Sequence, residues 1–396
     1  MNKKAFGILV ATMSVSVLGI SILVPLLPIY ASELGATGFE LGIVFAGFGI
    51  SHAIFLPIVG KLSDRFGRKV FLCTSLSCLV PIFLSFIWAQ NALHLIIIRC
   101  LQGIATTMHL PIAQAYLGDL TPAGEEGKWT GHFSAILLSS LGIGPLFGGL
   151  MADILGMNAA FIAMSSLTLI GLIATIIWLP EAPRKTTAKK EALSIAKLRR
   201  SDILKGAFAF RLAIGFSTGI LLTFLPVLAN QQLGLSMSLV GVLLASRTPI
   251  ALMQTITGRL ADKLSKRILV VIGSAIGLIF MAILPTGANF WTLLIILCVS
   301  AVGITLAMPA ATAFVIEEGR TYGMGTAMAV FMMAMTIGQG SGPILLGGIV
   351  DLLGVEAAFY YGGTIPLIGI ILFAWFTRNY IKGRPIRTPA PTAENL

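Results

Sequence analysis

The sequence predicts an all-α membrane protein of twelve transmembrane helices in two pseudo-symmetric six-helix halves. Three observations carry that expectation. Hydrophobic residues make up 56% of the 396-residue chain and charged residues only 11%, with a mean hydropathy of +0.94, where an average soluble domain is roughly 25% charged. About twelve apolar segments of some 20 to 26 residues follow one another, each long enough to cross a hydrocarbon core of about 30 Å at 1.5 Å per helical residue. The polar decapeptide GKLSDRFGRK, Gly60 to Lys69, returns 198 residues later as GRLADKLSKR, Gly258 to Arg267, an offset of half the chain.

The spans begin near Phe6, Glu40, Val70, Leu93, Trp129, Asn158, Gly206, Ser238, Ile268, Phe290, Met324 and Ala357. Lys3 and Lys4 ahead of span 1 mimic a signal peptide, but the apolar run to Tyr30 is too long for one and holds Pro25 and Pro28, so it reads as a retained helix. Span 6 is followed by the one long polar stretch, Glu181 to Lys205. It divides the chain into a half at 1–180, a linker at 181–205, a half at 206–378 and a tail at 379–396. The linker's LSIAKLRR portion reads either as a solvated, topology-setting tether or as an amphipathic helix on anionic lipid. At the same offset Pro28 pairs with Pro226, Pro111 with Pro309, Gly144 and Pro145 with Gly342 and Pro343, and Asp153 with Asp351. Parallel repeats of this kind place a substrate site near the midplane between the halves.

Of the 27 Lys and Arg, 24 fall in the N-terminus, the linker, the tail or the loops after even-numbered spans, and three lie inside spans. Positive loops stay in the cytoplasm, so both termini are expected there, in a multi-pass protein of the cell membrane. The net charge of +11 is dispersed over short loops and offers no continuous face for nucleic acid. Cys73, Cys78, Cys100 and Cys298 lie in spans at spacings that suggest packing and neither a metal site nor a redox pair.

Motifs narrow the class. The loop Gly60, Asp64, Arg65, Gly67, Arg68, Lys69 lies between spans 2 and 3; span 4 carries Arg99, Gln102 and Gly103 as RxxQG; span 5 carries Gly131, Ser140, Gly144, Pro145, Gly148 and Gly149; span 1 carries Leu18, Gly19, Pro25 and Pro28. On these residues the chain resembles the major facilitator superfamily, and within it the twelve-helix drug:proton antiporters, with Ser140 replacing one glycine of the span 5 motif. The resemblance implies that Gly60, Asp64 and Arg68 latch the cytoplasmic side, with Asp64 meeting the start of span 11. It also implies that Asp262 is a weaker second copy, where Ser265 replaces a glycine, and that Gly144, Pro145, Gly148 and Gly149 form a bending or sliding helix.

Arg99, Arg211 and Arg247 are charges inside spans, which cost at least about 2.5 kcal/mol each at the centre. Arg211 is close enough to the cytoplasm to snorkel. Gln102, Thr106 and His109 share the face of Arg99, and Gln254 that of Arg247, so these residues with His52 are the candidate substrate cavity. Histidines at 52 and 109 read either as helix-packing residues with a hydrogen bond or as substrate contacts. Phe208, Phe210 and Phe216, and Phe331, Met332, Met333 and Met335, read either as an adaptable apolar pocket or as packing. No acid falls at a midplane, which favours neutral, amphipathic or anionic substrates over cations. Arginine does not release protons, so a proton-coupled cycle needs another group. The candidates are Glu33, Glu40, His52 and His109. The histidines are poor carriers unless hydrated, because burial and a neighbouring Arg both disfavour the charged ring, and Glu33 or Glu40, biased by Arg99, is the expectation.

The sequence thus points to a secondary exporter of small amphipathic molecules driven by the proton gradient, without a cofactor and as a monomer, rocking two halves about a central site. A facilitator or ion-coupled importer of a metabolite is the alternative. No Ser/His/Asp set, metal-ligand cluster or phosphate loop suggests an enzyme.

Overall fold

Turn chemistry decides where each helix starts and stops. In a computed structural model of the chain, residues 3–121, 125–181, 201–254, 257, 265–322 and 324–378 are described, and they contain helices and no strand. Helix α1, Lys3–Glu33, runs on through Pro25 and Pro28. Thr37 opens α2, Gly38–Phe66, with a reciprocal box: its Oγ1 accepts from the Glu40 amide while the Glu40 carboxylate accepts from the Thr37 amide. Gly67 ends it at φ +101°, a conformation side chains avoid, and α3, Arg68–Ser85, follows at once. Span 4 is divided into α4, Ala92–Thr107, and α5, Leu110–Leu120, because Pro111 has no amide for the carbonyl four residues back and its ring collides with that carbonyl. The repeat partner Pro309 produces no such break.

Helices α6, Glu126–Leu155, and α7, Met157–Trp178, meet at Gly156. Ser201 caps α8, Asp202–Val227, and Ser236 caps α9, Met237–Ala245. The remainder are α10, Arg247–Leu252; α11, Lys266–Ala282; α12, Phe290–Tyr322; α13, Met324–Leu353; α14, Val355–Thr364; and α15, Leu367–Phe376. Among the described residues, ten helical stretches are long and apolar enough to span a bilayer, and Met237–Leu252 is a shorter apolar stretch. Linker residues 182–200, the tail 379–396 and Asp262 lie outside the described residues.

Packing depends on glycine. In lipid, helices associate through close contact of their surfaces, and α6 sits between α1 and α9. A Cβ on Gly148 would lie 2.6 Å from the Ile22 carbonyl oxygen of α1, one on Gly144 would strike the Ser21 side chain, and one on Gly149 would strike the Met237 carbonyl of α9. The α2–α13 crossing is built likewise, with Gly38 2.7 Å from the Gly347 carbonyl by the same measure and Gly42 against Pro343. Outward flanks carry bare aliphatic side chains such as Ile162, Ile177 and Ile371, as a surface in contact with lipid requires.

Candidate functional site

Arg99 lies in the third turn of α4, 8% exposed. Its Nη1 donates to Gln102 Oε1 at 2.7 Å, and its guanidinium lies over the rings of Phe48 at 4.4 Å and Phe45 at 5.5 Å, both from α2. An aromatic face is a partial counter-charge worth about 0.5–2 kcal/mol, less than a carboxylate supplies. No described acid lies within ion-pair distance of Arg99. Its Nε, Gln102 Nε2 and both ring nitrogens of His109 are buried without a hydrogen-bond partner, and each such orphan costs about 1–3 kcal/mol unless water or a ligand meets it.

Beside Arg99 is a cavity of about 310 Å³ whose walls include Val24 of α1, Phe45 and His52 of α2, Leu222 of α8, and Thr336 and Gln339 of α13. It is mostly apolar with a few polar groups, the usual composition of a small-molecule site. The residues expected to line a single cavity are distributed over four places. His52, stacked on Phe48 at a centroid distance of 6.0 Å, and Arg99 line it. Gln102, Thr106 and His109 are buried along α4 behind it, with Thr106 Oγ1 donating to the Gly103 carbonyl at 3.0 Å. Arg247 borders a separate void of about 10 Å³ with Ser217, Thr218 and Ser300, room for about one water. The helix is interrupted at Ser246, and Arg247, at the start of α10, borders a void walled by α8, α11 and α12. Gln254 is exposed. Neither the helix α8 phenylalanines nor Phe331, Met332, Met333 and Met335 line the cavity; Phe210 packs on Phe373, and Phe331 lies 4.9 Å under Arg211. Arg211 also reaches Met308 Sδ at 2.9 Å, so it turns into the bundle and does not snorkel.

The expected pairing of Arg99 with Glu33 or Glu40 is not made. Glu33 is exposed at the end of α1, and Glu40 is committed to the Thr37 box, about 12 Å along α2 from Phe48. At the junction of α2 and α3, the Asp64 side chain is outside the described set and Gly60 has open space around it. Arg68 meets partners on α2 and α5: Nε pairs with Asp119 Oδ2 at 3.2 Å and Nη1 donates to Ser63 Oγ at 2.6 Å, while Glu181 accepts from the amides of Arg68 and Lys69.

The opposite end carries two related caps that join distant parts of the chain. Asp351, ending α13, accepts from the Gly38 amide at 2.5 Å and the Phe39 amide at 3.0 Å. With the Thr37–Glu40 box, this gives all four orphan amides at the start of α2 an acceptor. Asp153, its repeat partner on α6, accepts from the amides of Met237 and Ser238 at 2.9 and 2.8 Å and from Ser238 Oγ at 2.5 Å. Gln231 donates to Ser32 Oγ nearby at 2.7 Å. These bonds, together with the glycine crossings, close this end of the bundle.

Sequence reasoning missed Gln339, Thr336 and Asp119. A lone amide in an apolar span was a usable signal for Gln339; nothing local marks Asp119 as the partner of Arg68.

A family model described as the Major Facilitator Superfamily matches residues 9–248 and 214–395. An uncharacterized MFS-type transporter of Methanocaldococcus jannaschii is 27% identical over 387 residues, covering 94% of this chain and 98% of that protein. The quinolone resistance protein NorA of Staphylococcus aureus is 24% identical over 378 residues, covering 94% and 96%. Among solved structures, a bacterial homolog of the human lysosomal transporter Spinster, in an inward-facing and unoccupied conformation, superposes with a TM-score of 0.79 at 14% identity, covering 98% of each chain.

Proposed function

Because the chain belongs to the Major Facilitator Superfamily, and is therefore a multi-pass membrane transporter and not an enzyme, we propose that it exports small amphipathic compounds, neutral or anionic, in exchange for protons. The observation that carries this reading is the Arg99 cavity: an apolar chamber with a buried guanidinium on its wall and no described carboxylate to balance it. A lipophilic cation entering that chamber meets like charge, whereas an anion supplies the missing partner. Similarity to NorA supports efflux.

In this reading twelve helices form two six-helix halves, both termini face the cytoplasm of the cell membrane, and a monomer rocks about the cavity by alternating access. The α2–α13 and α6–α9 crossings separate when the chamber opens outward. Cofactors take no part; the proton gradient drives the cycle.

The test uses purified protein in liposomes, with a pH step and a panel of cationic, neutral and anionic fluorophores. Proton-dependent transport of the anionic and neutral members is expected. Strong selectivity for lipophilic cations would overturn the charge argument. Because no described acid touches Arg99, a facilitator or ion-coupled importer is the second reading, and transport indifferent to the pH step would favour it.

A further inference from the structure

We propose that His109 takes up and releases the coupling proton, reached from the cavity along a hydrated face of α4; this rests on the proton-coupled reading above. The argument starts from unmet hydrogen-bonding capacity. Arg99 Nε, Gln102 Nε2 and both His109 ring nitrogens are buried and unpartnered. Residues 99, 102 and 106 fall within about 60° of one another around α4 and span about 10 Å along it, and His109 follows in the turn at its end. Buried polar atoms without protein partners are ordinarily met by ordered water, and the row runs from the cavity wall toward the cytoplasmic end of α4 and α5. Thr106 Oγ1 gives its own proton to Gly103 and keeps lone pairs for a neighbouring water.

The helix is interrupted where the row ends. His109 sits in the turn between α4 and α5 with φ −99° and ψ −92°. Pro111 has no amide to offer the Thr107 carbonyl, which adds a further water acceptor beside the ring. A packing histidine would have its ring fixed by a hydrogen bond; this one is 2% exposed with neither nitrogen bonded. Of the other three histidines, His94 accepts from the Gln90 amide, His132 lies beside Trp129, and His52 stacks on Phe48.

Chemically, a neutral imidazole holds one N–H and one free lone pair. The lone pair accepts a proton relayed along the row, each water passing one on as it takes another from the cavity side, to give imidazolium, which later returns a proton to water on the cytoplasmic side; no bond between heavy atoms changes. Histidine suits this step because its ordinary titration lies between pH 5 and 8. The charged and titratable groups on the elements packed around it are largely committed elsewhere. Arg68 and Asp119 pair at the rim, Lys69 Nζ donates to the Ile176 carbonyl, and Tyr116 Oη donates to the Pro180 carbonyl. Arg65 of α2 and His132 of α6 are exposed, Cys73 and Cys78 are on α3, and Cys100 is on α4. Arg99 is the nearest charge along the row.

With four histidines in the chain, nitrogen-15 NMR of histidine-labelled full-length protein in nanodiscs resolves His109 by difference from His109→Gln and needs no substrate. A His109 signal that titrates between pH 5 and 8 is expected, and one that stays neutral across that range overturns the proposal. In liposomes, His109→Gln is expected to lower pH-driven transport at least about tenfold while leaving substrate counterflow without a pH step within about twofold. Unchanged pH-driven transport, or a parallel loss of both activities, also overturns it. If the wild type shows counterflow but no pH-driven transport, the proton-coupled reading fails, and the NMR result decides separately whether His109 binds a proton.

Discussion

At the scale of single residues, the decisive group is Arg99, a cation held by two rings and an amide and left open to the cavity. Arg99→Ala is expected to reduce transport of anionic fluorophores at least about tenfold and of neutral ones severalfold less, read from initial rates in liposomes at equal protein. Arg99→Lys keeps the charge but loses the planar stacking and the fork that meets Gln102, so partial recovery is expected. Arg99, His52 and the face that Arg99 shares with Gln102 were legible in the sequence because a polar residue in a span must find water or a partner. Gln339, on the other wall, was not singled out, because the rotation of α13 that aims it inward is set by its packing on α2 and α8. Arg247 failed for the converse reason: periodicity assumed one continuous helix, and the chain breaks just before it.

At the scale of elements, helix ends bear more on the mechanism than helix middles. Asp153 and Asp351 each cap a helix that lies 84 and 313 residues away in sequence. Loss of a cap costs about 1 kcal/mol; two together change an equilibrium by a factor of the order of 5–30. Asp153→Ala with Asp351→Ala is therefore expected to shift the distance distribution between spin labels at the start of α2 and the end of α13 toward longer separations. An unchanged distribution would show that the glycine crossings alone hold this end shut. The spans themselves were easy to read, since hydrocarbon demands long apolar runs, and so was the Pro, Gly and Thr punctuation between them. The caps were not: the sequence showed two acids at equivalent places in a repeat, but their partners are amides of helices brought near only by folding.

At the scale of the whole molecule, the duplicated loop gives an asymmetry that can be measured. The first copy keeps Gly60, Asp64, Gly67 and Arg68, with Arg68 bound to Asp119 and Ser63; the second has Ser265 in place of the later glycine. Asp64→Asn is expected to impair transport more than Asp262→Asn at equal expression, and equal losses would refute an asymmetric latch. The repeat fixed which loops to compare, while the asymmetry within it came from individual substitutions. The two caps at the other end have a separate consequence for genetics. Their donors are mainly main-chain amides, which every residue except proline supplies, so Phe39 and Met237 can change without losing the bond, whereas Gly38 is held by its closeness to the Gly347 carbonyl and Ser238 by its own hydroxyl. Substitutions that release this end should accumulate at Asp153, Asp351 and Gly38, while Phe39 and Met237, which give only their amides to the caps, stay silent under mutagenesis.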